Sequence, residues 1–223
     1  MERKSKIQSA PDAVRVIPDG ARVMIGGFGL RGTPDVLIDA LVEAGPKNLT
    51  IIANDLGSPN VGLGRLLEHK QIACLIGSYF SKNPDVANAY HRGEIDVKLL
   101  PMGTFAESIR AAGNGIPAYY ALASAGTELG AGKETREFDG RLYVLEEAIH
   151  ADFALIEAHR ADTLGNLVYC KTARNYNPQM AMAARHTIAL VDEIVAPGEL
   201  SPEEIITPHI FVQTLVLAPE AGK

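Results

Sequence analysis

DGARVMIGGFGLRGTP, residues 19–34, carries an apolar run, Val23-Met24-Ile25, into four glycines (Gly26, Gly27, Gly29 and Gly32) and then into Pro34. A buried strand that ends in a glycine-rich turn before a helix presents backbone N–H groups near the positive end of the helix dipole. That arrangement receives phosphates and developing anions. Thr33 suits the N-cap of the helix and Pro34 its first residue. The spacing of Leu37, Ile38, Leu41 and Val42 puts them on one face of a helix over Pro34–Ala44, which Gly45-Pro46 stops.

Working outward, short apolar runs alternate with helical patterns. Val23–Ile25, Leu49–Ala53, Ile72–Ile76 and Val97–Leu100 read as strands, and Pro34–Ala44, Gly62–His69, Asn83–His91 and Thr104–Ala112 as the helices between them. Glu134–Phe138 and Arg141–Val144 flank Asp139-Gly140, the strongest short-range hairpin signal. Apolar runs return at Phe153–Ile156 and Thr187–Val191. The expected fold class is α/β: one layered open domain over residues 1–223 with a mostly parallel sheet and a β-hairpin insertion.

Composition narrows the function classes. Of 223 residues 47% are hydrophobic and 22% charged, enough for a large core. A net charge of -6 disfavours nucleic acid, whose phosphates need a basic face. The first residues, Met-Glu-Arg-Lys-Ser-Lys, carry no apolar signal core, and no run is long enough to span a bilayer, so a cytoplasmic protein is expected. Cys74 and Cys170 form no metal-like pair and read as reduced, buried thiols. The six histidines form no cluster with ligand spacing, so no metal site is expected.

Gly27-Phe28-Gly29-Leu30-Arg31-Gly32 satisfies the dinucleotide pattern G-x-G-x-x-G, and Asp55 follows the second strand at about the spacing that pattern expects. This leaves a nucleotide-dependent oxidoreductase as one reading. Against it, that fingerprint sets its last glycine in the first helical turn, whereas here Thr33 and Pro34 leave Gly32 in the loop. Gly130-Ala-Gly-Lys133 is no P-loop, because Thr127 and Glu134 stand where a glycine and a magnesium-binding hydroxyl belong. Glu146-Glu147 reads as a solvated helix start.

Several stretches in one order carry a resemblance. They are Asp19-Gly20, Gly26-Gly27-Phe28, Gly32-x-Pro34, Pro101-Met-Gly-Thr-Phe-Ala-Glu107, Gly132–Gly140, Ala151-Asp-Phe-Ala-Leu155, Gly165-Asn-Leu-Val-Tyr169 and Ala173-Arg-Asn-Tyr-Asn-Pro178. Gly198-Glu-Leu200 and Thr207-Pro208 follow. Over nearly its whole length the chain resembles the first, or alpha, subunit of family I coenzyme A transferases, the 3-oxoacid and acetate/butyrate–acetoacetate type. These act in ketone-body and short-chain fatty acid metabolism.

The resemblance implies a ping-pong exchange of CoA between a short-chain acyl-CoA and a free carboxylate. It also implies a nucleophilic glutamate in a Ser-Glu-Asn-Gly motif of the second, or beta, subunit. This sequence has no such motif, so no catalytic nucleophile is expected in it. Coenzyme A is then a substrate, with no permanently bound cofactor. The implied partners are the beta subunit, acyl-CoA and short-chain carboxylates, in a heterodimer or dimer of heterodimers (a heterotetramer). By the same resemblance Gly26, Gly27, Phe28, Gly29, Leu30, Arg31 and Gly32 form the CoA-binding loop. Asn54, at a strand end where α/β enzymes place ligands, is a substrate-pocket candidate together with Met102 and Glu107. Relatives carry glutamine where this chain has Met102, and a thioether is only a weak acceptor, which puts acetoacetate preference in doubt. For Lys171–Asn175 an anion contact and a subunit-interface or loop-anchoring cluster both stand, the second favoured. A non-catalytic CoA-binding relative remains the non-enzymatic reading.

Overall fold

The computed structural model describes residues 5–219. After helix α1 (Ala10–Val14), strands and helices alternate: β1 (Arg22–Ile25), α2 (Asp35–Ala44), β2 (Leu49–Ile52), α3 (Gly64–Glu68), β3 (Ile72–Gly77), α4 (Pro84–His91), β4 (Asp96–Leu99) and α5 (Met102–Gly113). A second sheet follows, of β5 (Ala118–Ala121), β6 (Thr135–Phe138) and β7 (Arg141–Glu147). The chain then returns through β8 (Ala151–Asp162), β9 (Leu167–Val168), α6 (Asn177–Ala183), β10 (Ala184–Val195) and β11 (Thr214–Leu217).

The main sheet runs β11-β10-β8-β1-β2-β3-β4, every neighbouring pair parallel, with β9 antiparallel on β8. Alternation along β1 sends Val23 and Ile25 to one face, against α1 to α4, and Met24 to the other, against α5 and α6. Both faces are covered, which is why the strands read as continuous apolar runs. From β1 the chain proceeds to β2 on one side, while β8 lies on the other. The strand order therefore reverses at β1, and the glycine-rich stretch leaves the sheet at this switch point, where open α/β sheets bind ligands.

The hairpin forms as expected: Asp139 and Gly140 have φ of 49° and 72°, the left-handed pair that joins two right-twisted strands. Glu146 corrects an expectation, because it lies in β7 rather than at a helix start. Only 3% exposed, it accepts from Ser124 Oγ at 2.9 Å and Lys133 Nζ at 2.7 Å, partners that allow a carboxylate to be buried. Cys170 is exposed and Cys74 half-buried, so the thiols are free, as expected, but not both buried. Helix α5 starts at Met102, two residues earlier than the pattern placed it, because Pro101 takes the N-cap position.

Candidate functional site

The loop between β1 and α2 is braced from three directions. Gly26 N–H donates to Leu155 O of β8 at 2.9 Å, Gly27 N–H to Asn175 Oδ1 at 3.1 Å, and Gly29 N–H to Asp55 Oδ2 at 3.0 Å. Phe28 and Arg31 pair with each other through N–H and C=O at 3.0 and 3.3 Å. The expectation of bare N–H groups is thus corrected: five are spent inside the protein. Leu30 and Gly32 donate to none of the described residues, leaving their N–H groups as the loop's available donors.

The glycines are required by protein rather than by ligand at three of the four positions. A Cβ at Gly26 would overlap the Asn177 amide, at Gly27 the Thr33 hydroxyl, and at Gly32 the Ala173 carbonyl and Asn175 amide. Gly29 alone faces open space. Thr33 does not cap α2. Its buried hydroxyl turns back to Gly29 O at 3.4 Å, and Pro34 takes the N-cap position without a side-chain bond. Gly32 stays in the loop at φ 67°, so the tight dinucleotide turn is absent.

Asn175 and Asn177 perform the clamping. Asn177 is fully buried: its Oδ1 accepts Glu157 N–H at 3.1 Å, and its Nδ2 donates to Gly32 O and Ala173 O, both at 3.0 Å. Asn175 holds Gly27 N–H through Oδ1 and donates through Nδ2 to Arg31 O at 2.9 Å. Its backbone, at φ 23° and ψ −120°, lies where non-glycine residues are strained, a cost carried by residues that shape functional sites. Within Lys171–Asn175 the residue that anchors the loop is Asn175, and Asn177, outside that segment, anchors it as well. The signal available in the sequence was two amides flanking an aromatic before proline.

Between the asparagines, Tyr176 stacks on Phe28 (centroids 6.4 Å apart) and meets Phe105 edge-on at 5.4 Å. Its hydroxyl donates to Asn54 Oδ1 at 3.2 Å, and burial, then the Asp55 carboxylate, push its pKa up. Asn54 donates to Asp55 Oδ2 at 2.9 Å, and Asp55 Oδ1 accepts Gly57 N–H at 3.0 Å. The buried pair Asn54 and Asp55 is therefore structural support beneath the loop, and no water-sized space lies between them and the glycines. The accessible side of the loop is its outer face, where Phe28 and Leu30 are 49% and 70% exposed.

Arg31 is exposed, with its carbonyl held by Asn175. Met102 stands exposed in the first turn of α5. Glu107 is engaged by Arg110 one turn along the same helix, which holds its carboxyl below the ordinary range. Glu157 was missed by sequence reasoning. It is half-buried on β8, beside the loop through its N–H bond to Asn177. Desolvation, then the charges of Asp192 and Asp35, push its pKa up to about 7. No group of metal-ligating side chains occurs among the described residues.

A family model described as coenzyme A transferase matches residues 7–218. The A-type subunit of succinyl-CoA:3-ketoacid coenzyme A transferase from Helicobacter pylori (strain J99) is 50% identical over 201 residues, covering 90% of this chain and 87% of that one. The A-type subunit of 3-oxoadipate CoA-transferase from Pseudomonas putida is 48% identical over 217 residues, covering 96% and 94%. Among solved structures, an acyl-CoA transferase of Escherichia coli O157:H7 in a thioester complex with CoA is similar in fold. Its TM-score is 0.87 at 21% identity, over 98% of this chain. This chain spans half the length of that single polypeptide.

Proposed function

Because the chain belongs to the coenzyme A transferase family and is a transferase subunit of the A, or alpha, type, we propose that it supplies one wall of a shared active site whose nucleophile lies in a beta subunit. As one transferase unit over residues 1–223 it acts in the cytoplasm, in a heterodimer or a dimer of heterodimers. It moves CoA between a short-chain acyl-CoA and a free carboxylate, as in ketone-body and short-chain fatty acid metabolism. Coenzyme A enters and leaves as a substrate.

The carrying observation is the loop itself, fixed in place before any ligand arrives by Asn175, Asn177 and Asp55. Pre-organised donors lower a barrier because they need no rearrangement when charge develops. In this reading the outer face of Gly26–Gly32 meets the thioester, the free N–H groups of Leu30 and Gly32 steady its oxygen, and Phe28 and Leu30 exclude water. Arg31 contributes a charge that can approach a phosphate or carboxylate. Asn54 positions the loop from below, and Met102 and Glu107 border the acyl side.

The partner's carboxylate attacks the thioester carbonyl, giving an acyl-glutamyl anhydride and the CoA thiolate. The thiolate then attacks the glutamyl carbonyl, releasing the first acid and leaving a glutamyl-CoA thioester. A second acid reverses both steps. Two covalent half-reactions replace one hard exchange. Hydroxylamine or borohydride trapping of the CoA-loaded complex should modify the beta subunit and leave this chain unmodified. Trapping on any glutamate here, or full turnover by this chain alone, refutes the assignment of roles.

A further inference from the structure

Three cations beside the glycine loop have no carboxylate to answer them. Arg31 stands in the loop itself, and Lys171 and Arg174 in the single turn of 3-10 helix over Lys171–Arg174; all three are exposed. None of their side chains forms an ion pair or a hydrogen bond among the described residues. In a chain of net charge -6 such a group is not the by-product of a generally basic surface. The acids by the loop are occupied elsewhere. Asp55 accepts from Gly29, Asn54 and Gly57. Burial and other carboxylates, and no cation, push the pKa values of Asp35 and Glu157 up.

The fold gathers these charges from two distant segments. Asn175 Nδ2 donates to Arg31 O at 2.9 Å, and Ala173 O lies so close to Gly32 that a Cβ there would overlap it. Arg174 sits in the chain between those two contacts. Side chains three residues apart in a 3-10 turn eclipse one another, so Lys171 and Arg174 leave the turn on one side. Lys171 and Asn175, which bound it, have φ of 48° and 23°. Such values cost a non-glycine residue energy and persist where the surrounding structure imposes them, often at binding sites.

We propose that Arg31, Lys171 and Arg174 form one anion subsite, and that its ligand is the phosphate-bearing nucleotide end of coenzyme A. The inference rests on the transferase reading and adds a place for the part of the substrate remote from the thioester. A single carboxylate is matched by one guanidinium, whereas three uncompensated cations match a polyanion. The two arginines offer planar forks that fit phosphate oxygens, and the lysine a compact charge on a flexible stem. These long stems carry the charges away from the backbone N–H groups of Leu30 and Gly32, so the two ends of one CoA ester meet different groups. Binding energy gained at the nucleotide end then helps hold the reacting end in place.

Two measurements test this on the complex with the beta subunit, using Lys171→Gln/Arg174→Gln, whose sites are exposed and carry no bond the fold depends on. The first is binding, which needs no turnover. Calorimetric titration with desulfo-CoA, which lacks the thiol and cannot react, should show a dissociation constant raised at least tenfold. The difference should shrink at high salt, which screens exposed charges. An unchanged constant overturns the subsite. Loss of the complex itself would assign the cations to the subunit interface and overturns it too. The second is turnover of acetyl-CoA, acetyl-pantetheine and succinyl-pantetheine. The ratio of kcat/KM for acetyl-CoA over acetyl-pantetheine should fall at least tenfold, and the ratio for succinyl-pantetheine over acetyl-pantetheine should stay put. A fall confined to the second ratio would give the cations to a carboxylate of the acyl group and overturn the proposal. Two unchanged ratios overturn it and leave the transferase reading standing. Weakened desulfo-CoA binding in a complex that turns over no acyl-CoA supports the subsite and fails that reading.

Discussion

Replacing Gly26 by alanine strikes the loop at its tightest point. Gly26 does not have a positive φ, so its backbone accepts alanine, and the whole cost is steric: the new methyl overlaps the Asn177 amide. That amide is fully buried and holds Glu157 N–H, Gly32 O and Ala173 O at 3.0–3.1 Å. Pushing it aside orphans some of these groups at about 1–3 kcal/mol each and adds roughly 1–3 kcal/mol of overpacking, so Gly26→Ala should cost on the order of 4 kcal/mol. Asn177→Ala leaves the same partners unpaired without the clash and should cost about 3 kcal/mol. Independent effects would sum to about 7 kcal/mol, within the whole stability of many domains. The double variant should not reach that sum, because the methyl introduced by Gly26→Ala occupies the space the amide vacates. Its expected cost is about 4 kcal/mol, a coupling near 3 kcal/mol. Urea unfolding followed by far-UV circular dichroism measures all four species, provided the m-value is constant. Additive costs would refute the claim that this glycine exists to admit Asn177.

Three further outcomes follow from the same geometry. Glu157, raised from 4.5 to about 7, binds its proton more tightly folded than unfolded, so its contribution to stability is complete below pH 4.5 and lost as pH rises through 7. The shift at face value is roughly 3 kcal/mol, and screening at a half-exposed site reduces it to about 1–2 kcal/mol. Glu157→Gln should remove that slope in a pH series of urea midpoints, and an unchanged slope refutes the assignment. Lys133→Ala leaves the Glu146 carboxylate buried with Ser124 as its remaining partner and should cost about 3 kcal/mol, read as a lower thermal midpoint, with Lys133→Ala/Glu146→Gln recovering much of it. Asn175→Gly relieves a strained φ of 23° while deleting the clamp on Gly27 and Arg31. Stability should therefore change by less than about 1 kcal/mol, while kcat of the reconstituted complex falls at least tenfold. Equal losses of stability and activity would make the residue structural only.

The element order was legible because each local signal agreed with the next. Apolar runs of strand length, glycine and proline stops, and Asp139-Gly140 all depend on neighbours a few residues away. Glu146 broke that logic. Two adjacent glutamates look solvated until Ser124 and Lys133, 22 and 13 residues distant, are seen to bury one of them. Thr33 misled for a related reason: a good capping residue was taken by packing under Gly27. The loop stood out as a candidate site from its glycines, yet their packing role did not. Close approach to a ligand and close approach to the protein's own Asn177 leave the same trace in a sequence.

By itself, then, the sequence determined an alternating α/β chain, its hairpin, the glycine loop and the lack of a Ser-Glu-Asn-Gly nucleophile, because these are properties of short segments and of composition. Only the tertiary structure decided that residues 173–178 brace residues 26–33, that Asp55 holds Gly29, and that Glu157 stands half-buried beside Asp192 and Asp35. Those outcomes depend on parallel strands bringing distant segments to one edge of the sheet. Contacts across more than a hundred residues are set by that pairing and by burial, which no local pattern encodes.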